Sequence, residues 1–148
     1  AVELLAYYSP EPSDIESLFA LLDDADPGLV NSAARALIAV DGMWPYQRAV
    51  CLWTTADAAK RRVLWRLLRR RGGWDRVRAG LLAAADPDAE LRARGREDLD
   101  SWARYNAACM WSDPTAEQAA DIAAGLPAAD ISWTAREVIG FRGTTARG

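Results

Sequence analysis

The stretch "DADPGLVNSAARAL" (24–37) returns without a gap as "DPDAELRARGREDL" (86–99). At an offset of 62 residues, Asp24 falls on Asp86, Asp26 on Asp88, Leu29 on Leu91 and Leu37 on Leu99. Each copy reads as an aspartate-rich turn feeding a helix. Asp26 suits the cap position, and Pro27 suits the first helical position, where a missing N–H costs nothing. Leu29, Val30, Ala33, Ala34, Leu37 and Ile38 then form a broad apolar surface, which predicts a mostly buried helix. Each copy also follows a short leucine-rich segment, so the unit that repeats is a pair of helices.

The flanking sequence is helical by the same signs. Ser13 with Glu16 is a capping box, followed by Ile15, Leu18, Phe19 and Leu22 at helical spacing. "DGMWP" (41–45) breaks the second helix. The segment 45–53 places Tyr46, Ala49, Val50 and Trp53 on one face. "TTAD" (54–57) is a turn and cap for a helix over 57–71, which Gly72-Gly73 stops. A fifth helix begins near Trp74, with Val77, Leu81 and Leu82 inward. A long sixth carries Leu91, Gly95, Leu99, Trp102 and Asn106 along one stripe, with a bend or break near Ser101. Local i, i+4 pairs on it join Glu90 to Arg94 and Asp100 to Arg104. Thr115 with Gln118 is another capping box. "AAGLP" closes that helix, with Gly125 in the left-handed position, Leu126 making the apolar contact and Pro127 as the stop. A last short helix spans 132–139, and 142–148 reads as a flexible tail. "AVELLAYY" (1–8) reads as the end of a helix without a beginning, so the chain is expected to be a piece of a longer protein.

Composition agrees with this pattern. Of 148 residues, 51% are hydrophobic, enough to build a sizeable core. Alternating Val, Ile and Thr runs are missing, so the class is all-α. The chain has no histidine, which removes the commonest general base and metal ligand. Cys51 and Cys109 lie far apart in apolar surroundings. They are expected to be buried free thiols, which places the protein in a reducing, cytoplasmic setting. No run is long enough to span a membrane. Asp24, Asp26, Asp86 and Asp88 lack the glycine and distant glutamate of a calcium loop, so turn and cap duty is assigned to them. No phosphate loop, nucleophile elbow or zinc spacing occurs, and no metal or small-molecule cofactor is expected.

The two matched segments resemble the turn-plus-helix unit of the HEAT and HEAT-like (armadillo-type) repeat family. There, an "L-L-x-D-x-D-P-x-V-R-x-x-A-x-x-A-L" pattern joins two antiparallel helices. The likeness is good over 15–40, fair over 76–99 and weak elsewhere. The family's arginine after the apolar residue is matched by Arg92, but Val30 stands there in the first copy. The offset is longer than one repeat and shorter than two. The resemblance implies an α-solenoid of about eight helices, a HEAT-like superhelix, with one repeat domain over 1–141. Stacking would bury apolar stripes that one pair cannot bury alone. It also implies that second helices of pairs line a concave groove where partners bind.

Charge is uneven along the chain. Residues 60–82 carry nine bases and one acid between two acidic flanks, although the whole chain is at −3. On a helical wheel, Val63, Leu64, Leu67 and Leu68 fill one arc and Arg62, Arg66, Arg69 and Arg70 fill the opposite arc. Trp65 sits at the border. Three readings stay open: a solvated face, a grip for an acidic protein partner, and a nucleic-acid surface with Trp65 as a stacking platform. Of seven tryptophans, Trp65 and Trp111 are expected to be partly exposed and the others to be core. The leading expectation is a non-catalytic scaffold that binds an acidic protein through Arg62, Arg66, Arg69, Arg70 and Trp65. The alternative is a nucleic-acid-binding protein, including a DNA glycosylase-like enzyme, since some HEAT-like proteins are similar to such glycosylases. That family's residues do not map one by one onto this chain.

Overall fold

The computed structural model describes residues 10–110 and 112–144. Eight α-helices occur among them and no strand. The expected helix over 1–8 and the exposure of Trp111 lie outside the described residues. The chain divides into two compact units between Arg71 and Gly72. Gly72 and Gly73 both have positive φ, 74° and 51°. This conformation costs glycine little and strains other residues, so the pair ends one helix sharply and starts the next.

The first unit holds α1 (Pro12–Ala20), α2 (Pro27–Ala39), α3 (Tyr46–Trp53) and α4 (Ala58–Arg70), with short 3₁₀ turns at Leu21–Asp23 and Asp41–Met43. Helix α1 packs on α2, and α4 packs on both α2 and α3. Its start differs from the expected Ser13–Glu16 box: Glu11 is the cap and donates its N–H to the Asp14 carboxylate at 2.9 Å. Pro12 fixes that earlier start, and Glu16 faces Arg48 of α3 instead. Asp26 caps α2 as predicted, accepting from the Gly28 N–H at 2.8 Å. Helix α2 buries only a narrow stripe of Ala33, Ala34 and Leu37, while Leu29 is 39% exposed. The broader burial expected for it is therefore not found. Phe19 meets Trp44 edge to face at 5.4 Å, and the Trp44 indole donates to the Leu37 carbonyl at 2.9 Å.

The second unit holds α5 (Gly73–Ala84), α6 (Ala89–Ser101), α7 (Ala116–Gly125) and α8 (Trp133–Gly143). After Ser101 the helix continues as a π-helical turn, Trp102–Asn106, at the place where a bend was predicted. The core gathers Trp74, Val77, Leu81, Leu99, Trp102, Ile122 and Ile139. Trp74 and Trp102 stack at 5.4 Å with a tilt of 53°. The Thr115–Gln118 capping box forms with both bonds, at 2.9 and 3.2 Å. Gly125 is the last residue of α7, and positive φ among the described glycines is confined to Gly72 and Gly73. The left-handed cap expected at Gly125 is thus absent. A Cβ there would make ordinary contact with Leu81 at 3.4 Å, so neither backbone nor packing requires a glycine at this position. Helix α8 runs past Ile139 through Arg142, which donates to the Ala107 and Met110 carbonyls.

Both cysteines are free and exposed, not buried. Each follows a residue that does face inward, Ala49 before Cys51 and Ala107 before Cys109, and the helical turn carries the thiols outward. No helix of the described residues is long and apolar enough to cross a membrane.

Candidate functional site

Helix α4 starts where Asp57 accepts the Lys60 N–H at 2.8 Å. Val63, Leu64, Leu67 and Leu68 are buried as the wheel predicts. Burial of each leucine contributes roughly 2 kcal/mol, which fixes the helix's rotation about its axis. The opposite arc must then face water: Arg66, Arg69 and Arg70 are exposed and Arg62 is half-buried. Arg69 and Arg70 occupy the last turn, where cations suit the helix dipole.

The basic belt is not one surface. Lys60 is ion-paired with Asp23, and Arg61 donates to the Ala56 carbonyl at 2.6 Å. Arg71 donates to the carbonyls of Asp41 (3.0 Å) and Trp44 (2.8 Å) and lies 4.7 Å above the Trp44 ring. In the second unit, Arg76 grips Asp98 with two bonds of 3.0 and 2.8 Å. Arg78, 4% exposed, binds Asp75 at 3.0 Å, Glu117 at 2.9 Å, and Asp121. Five of the nine cations in 60–82 thereby hold local structure. Arg62, Arg66, Arg69 and Arg70 lie on one face of α4, and Arg62 and Arg69 also make contacts within the fold. Arg66 reaches Asn31 of α2 at a long 3.5 Å.

Trp65 departs from expectation. It is 7% exposed, and the Arg69 guanidinium lies over its ring at 5.5 Å from the centroid. The indole at the border of the wheel is covered by its tertiary neighbours, the Arg69 side chain among them. Its Nε1 is buried with no hydrogen-bond partner. Trp65 therefore offers no open face on which a base could stack. Trp133, expected in the core, is instead 75% exposed on α8. Trp44, Trp53, Trp74 and Trp102 are core, as predicted.

The buried carboxylate–guanidinium groups of the second unit were missed in the sequence. Gln118 joins one of them, donating to Asp75 at 3.0 Å. The only available signal was the i, i+3 spacing of Asp75 and Arg78. Glu90 and Arg94 pair at 2.6 Å as predicted, whereas Asp100 accepts the Ser132 hydroxyl at 2.6 Å. Asp24 and Asp86 play the same local part, each accepting a backbone N–H two residues on at 2.8 Å. Among the described residues no three His, Cys, Asp or Glu side chains group as a metal site. Shallow clefts open to solvent include two lined by described residues. One of about 330 Å³ in the first unit is lined by Asp23, Asp24, Asn31, Asp57 and Lys60 over an apolar floor. The other, about 510 Å³ on the second unit, lies along Arg96, Glu97, Asp100, Arg104 and Tyr105. No protein-family model, curated protein or solved structure matches the chain.

Proposed function

We propose that this chain is a non-catalytic, HEAT-like helical-repeat module that binds an acidic protein segment through the outer face of α4. The carrying observation is that Arg62, Arg66, Arg69 and Arg70 share one helix face, with Arg66, Arg69 and Arg70 exposed. A like-charged row on one helix face favours an anionic partner, and its arginines can grip carboxylates in bidentate fashion. Repetition supports the solenoid reading: the same Asp-x-Asp turn recurs in both units, followed each time by a helix of 13 residues. The buried Trp65 weighs against nucleic acid, because stacking would first require Arg69 to leave the ring. Two exposed free thiols suit a reducing compartment such as the cytoplasm.

The test is fluorescence anisotropy with a labelled poly-glutamate peptide and with labelled single- and double-stranded DNA, at low and moderate salt. The peptide is expected to bind and to weaken with salt. The triple variant R66E/R69E/R70E is expected to lose about tenfold or more in affinity while its melting temperature stays near that of the parent. Tighter binding of DNA than of the peptide would replace this proposal with nucleic-acid binding. Unfolding of the variant would show that the row is structural.

A further inference from the structure

Helix α8 carries a second surface with an unusual composition. Trp133 is 75% exposed and Phe141 is 84% exposed, and the exposed Glu137 stands between them. The three are spaced i, i+4, i+8, so they form one ridge with about 6 Å between neighbours. Ala135 and Ile139 anchor the opposite side of α8 in the core, so the ridge cannot turn inward. Single exposed apolar residues are ordinary, but two large aromatic rings at this exposure on one short ridge mark a contact surface. An acid flanked by two rings is selective. The rings attract cations through their faces, and the carboxylate adds a charge-assisted bond.

The chain itself contains a ridge of the complementary kind. Arg62, Arg66 and Arg70 of α4 are also spaced i, i+4, i+8. The i±4 ridges of two helices run parallel when the helices cross at about −50°, so the two ridges can lie side by side. The aromatic–acid–aromatic order reads the same from either end. With the ridges side by side, Glu137 can lie against Arg66 in either helix direction, with the rings toward Arg62 and Arg70.

We infer that the α8 ridge docks onto the α4 ridge of a second copy of the chain, giving head-to-tail self-association. The two ridges are different surfaces, so the contact is heterologous and does not stop at a dimer unless a ring closes. The inference needs the α4 row to be accessible but does not need an acidic partner protein to exist. Failure of the poly-glutamate test would leave it standing.

Sedimentation velocity over a range of chain concentrations tests it, at low and moderate salt. The average mass should rise with concentration and fall back with salt. E137R and R66E should each weaken association about tenfold or more, and the charge-swapped double variant E137R/R66E should restore it. W133A/F141A should also abolish it, with an unchanged helical circular dichroism spectrum. A chain that stays monomeric at low salt would overturn the inference. So would a charge swap that leaves association as weak as in the single variants.

Discussion

The two copies of the turn-plus-helix segment share a turn and differ in everything that packs upon it. Asp24 and Asp86 make the same bond at the same length, 2.8 Å, yet Asp24 is exposed and Asp86 is 3% exposed. Leu29 is 39% exposed where its counterpart Leu91 is fully buried. Val30 stands where Arg92 donates to the Asp86 carbonyl at 2.7 Å and ties the turn to the helix. Ala33 is matched by Gly95, and Ala36 by Asp98. The last two differences matter most. At Gly95 a Cβ would lie 2.6 Å from the Ala84 backbone nitrogen, so α6 presses directly on α5. Asp98, buried within this contact, is held by Arg76. The first unit joins α1 to α3 by a different device, the pair Glu16–Arg48, which is mostly in water. A turn is specified by a few polar atoms close in sequence. How hard the helix after it is pressed depends on residues that the turn does not specify.

The largest break in this comparison should come from R76A. Asp98 would keep its burial and lose the guanidinium that compensates it, which typically costs about 3–5 kcal/mol. The exposure of Arg76, 22%, leaves room for water to enter and places the expected loss near the lower figure. Urea denaturation should show it as a fall in midpoint. No loss would mean that Asp98 is satisfied by its other neighbours. Next in size is G95A. Backbone and the Ala83 Cβ (2.7 Å) block the added methyl, and overpacking of this kind costs roughly 1–3 kcal/mol despite alanine's better helix propensity. The matched change A33G in the first unit should cost only about 1 kcal/mol, the propensity difference plus a lost methyl contact. If G95A proves neutral or stabilising, the close approach of α5 and α6 is not what distinguishes the units.

These differences show where sequence and structure part. The helices, the Asp26, Asp57, Asp88 and Thr115 caps and the apolar arc of α4 were legible, because each depends on residues within a turn or two of one another. The glycine stop at Gly72-Gly73 and the irregularity after Ser101 were legible for the same reason. Exposure was harder to read. Trp65 and Trp133 both lie outside the core-facing arc of their helices, and only the tertiary neighbours decide that one is covered and the other open. The apolar neighbours of Cys51 and Cys109 suggest that the thiols face inward, but adjacent residues of a helix point about 100° apart and both thiols are exposed. The four arginines of the candidate site were legible as a row. That five other cations of the same belt serve the fold was not, because their partners come from other elements or from backbone carbonyls.

The smallest expected effect sharpens the contrast between the two ion pairs. Glu16 accepts from the Arg48 Nη2 at 2.9 Å and from its Nε at 3.2 Å. These hydrogen bonds hold the Glu16 carboxyl below its ordinary range, against an opposing effect of desolvation and with a lesser contribution from the charge of Arg48. The same bond from Glu16 holds the Arg48 guanidinium above its ordinary value. A carboxyl lowered on folding stabilises the native state above its unfolded pKa, about 4.3 for glutamate, and that contribution fades as pH falls through the lower folded value. Between neutral pH and about 5 the pair should therefore add no slope to stability. Below that, E16Q should lose less stability than the parent as acid is added, a difference that shrinks in high salt because the pair is exposed. Denaturation of parent and E16Q across the acid range measures it. Parallel curves would mean that Arg48 is held by its packing 4.9 Å over the Phe19 ring, with the carboxylate contributing nothing. In that case the first unit's α1–α3 link is a stacking contact, and its difference from the buried Arg76–Asp98 pair is one of kind, not only of exposure.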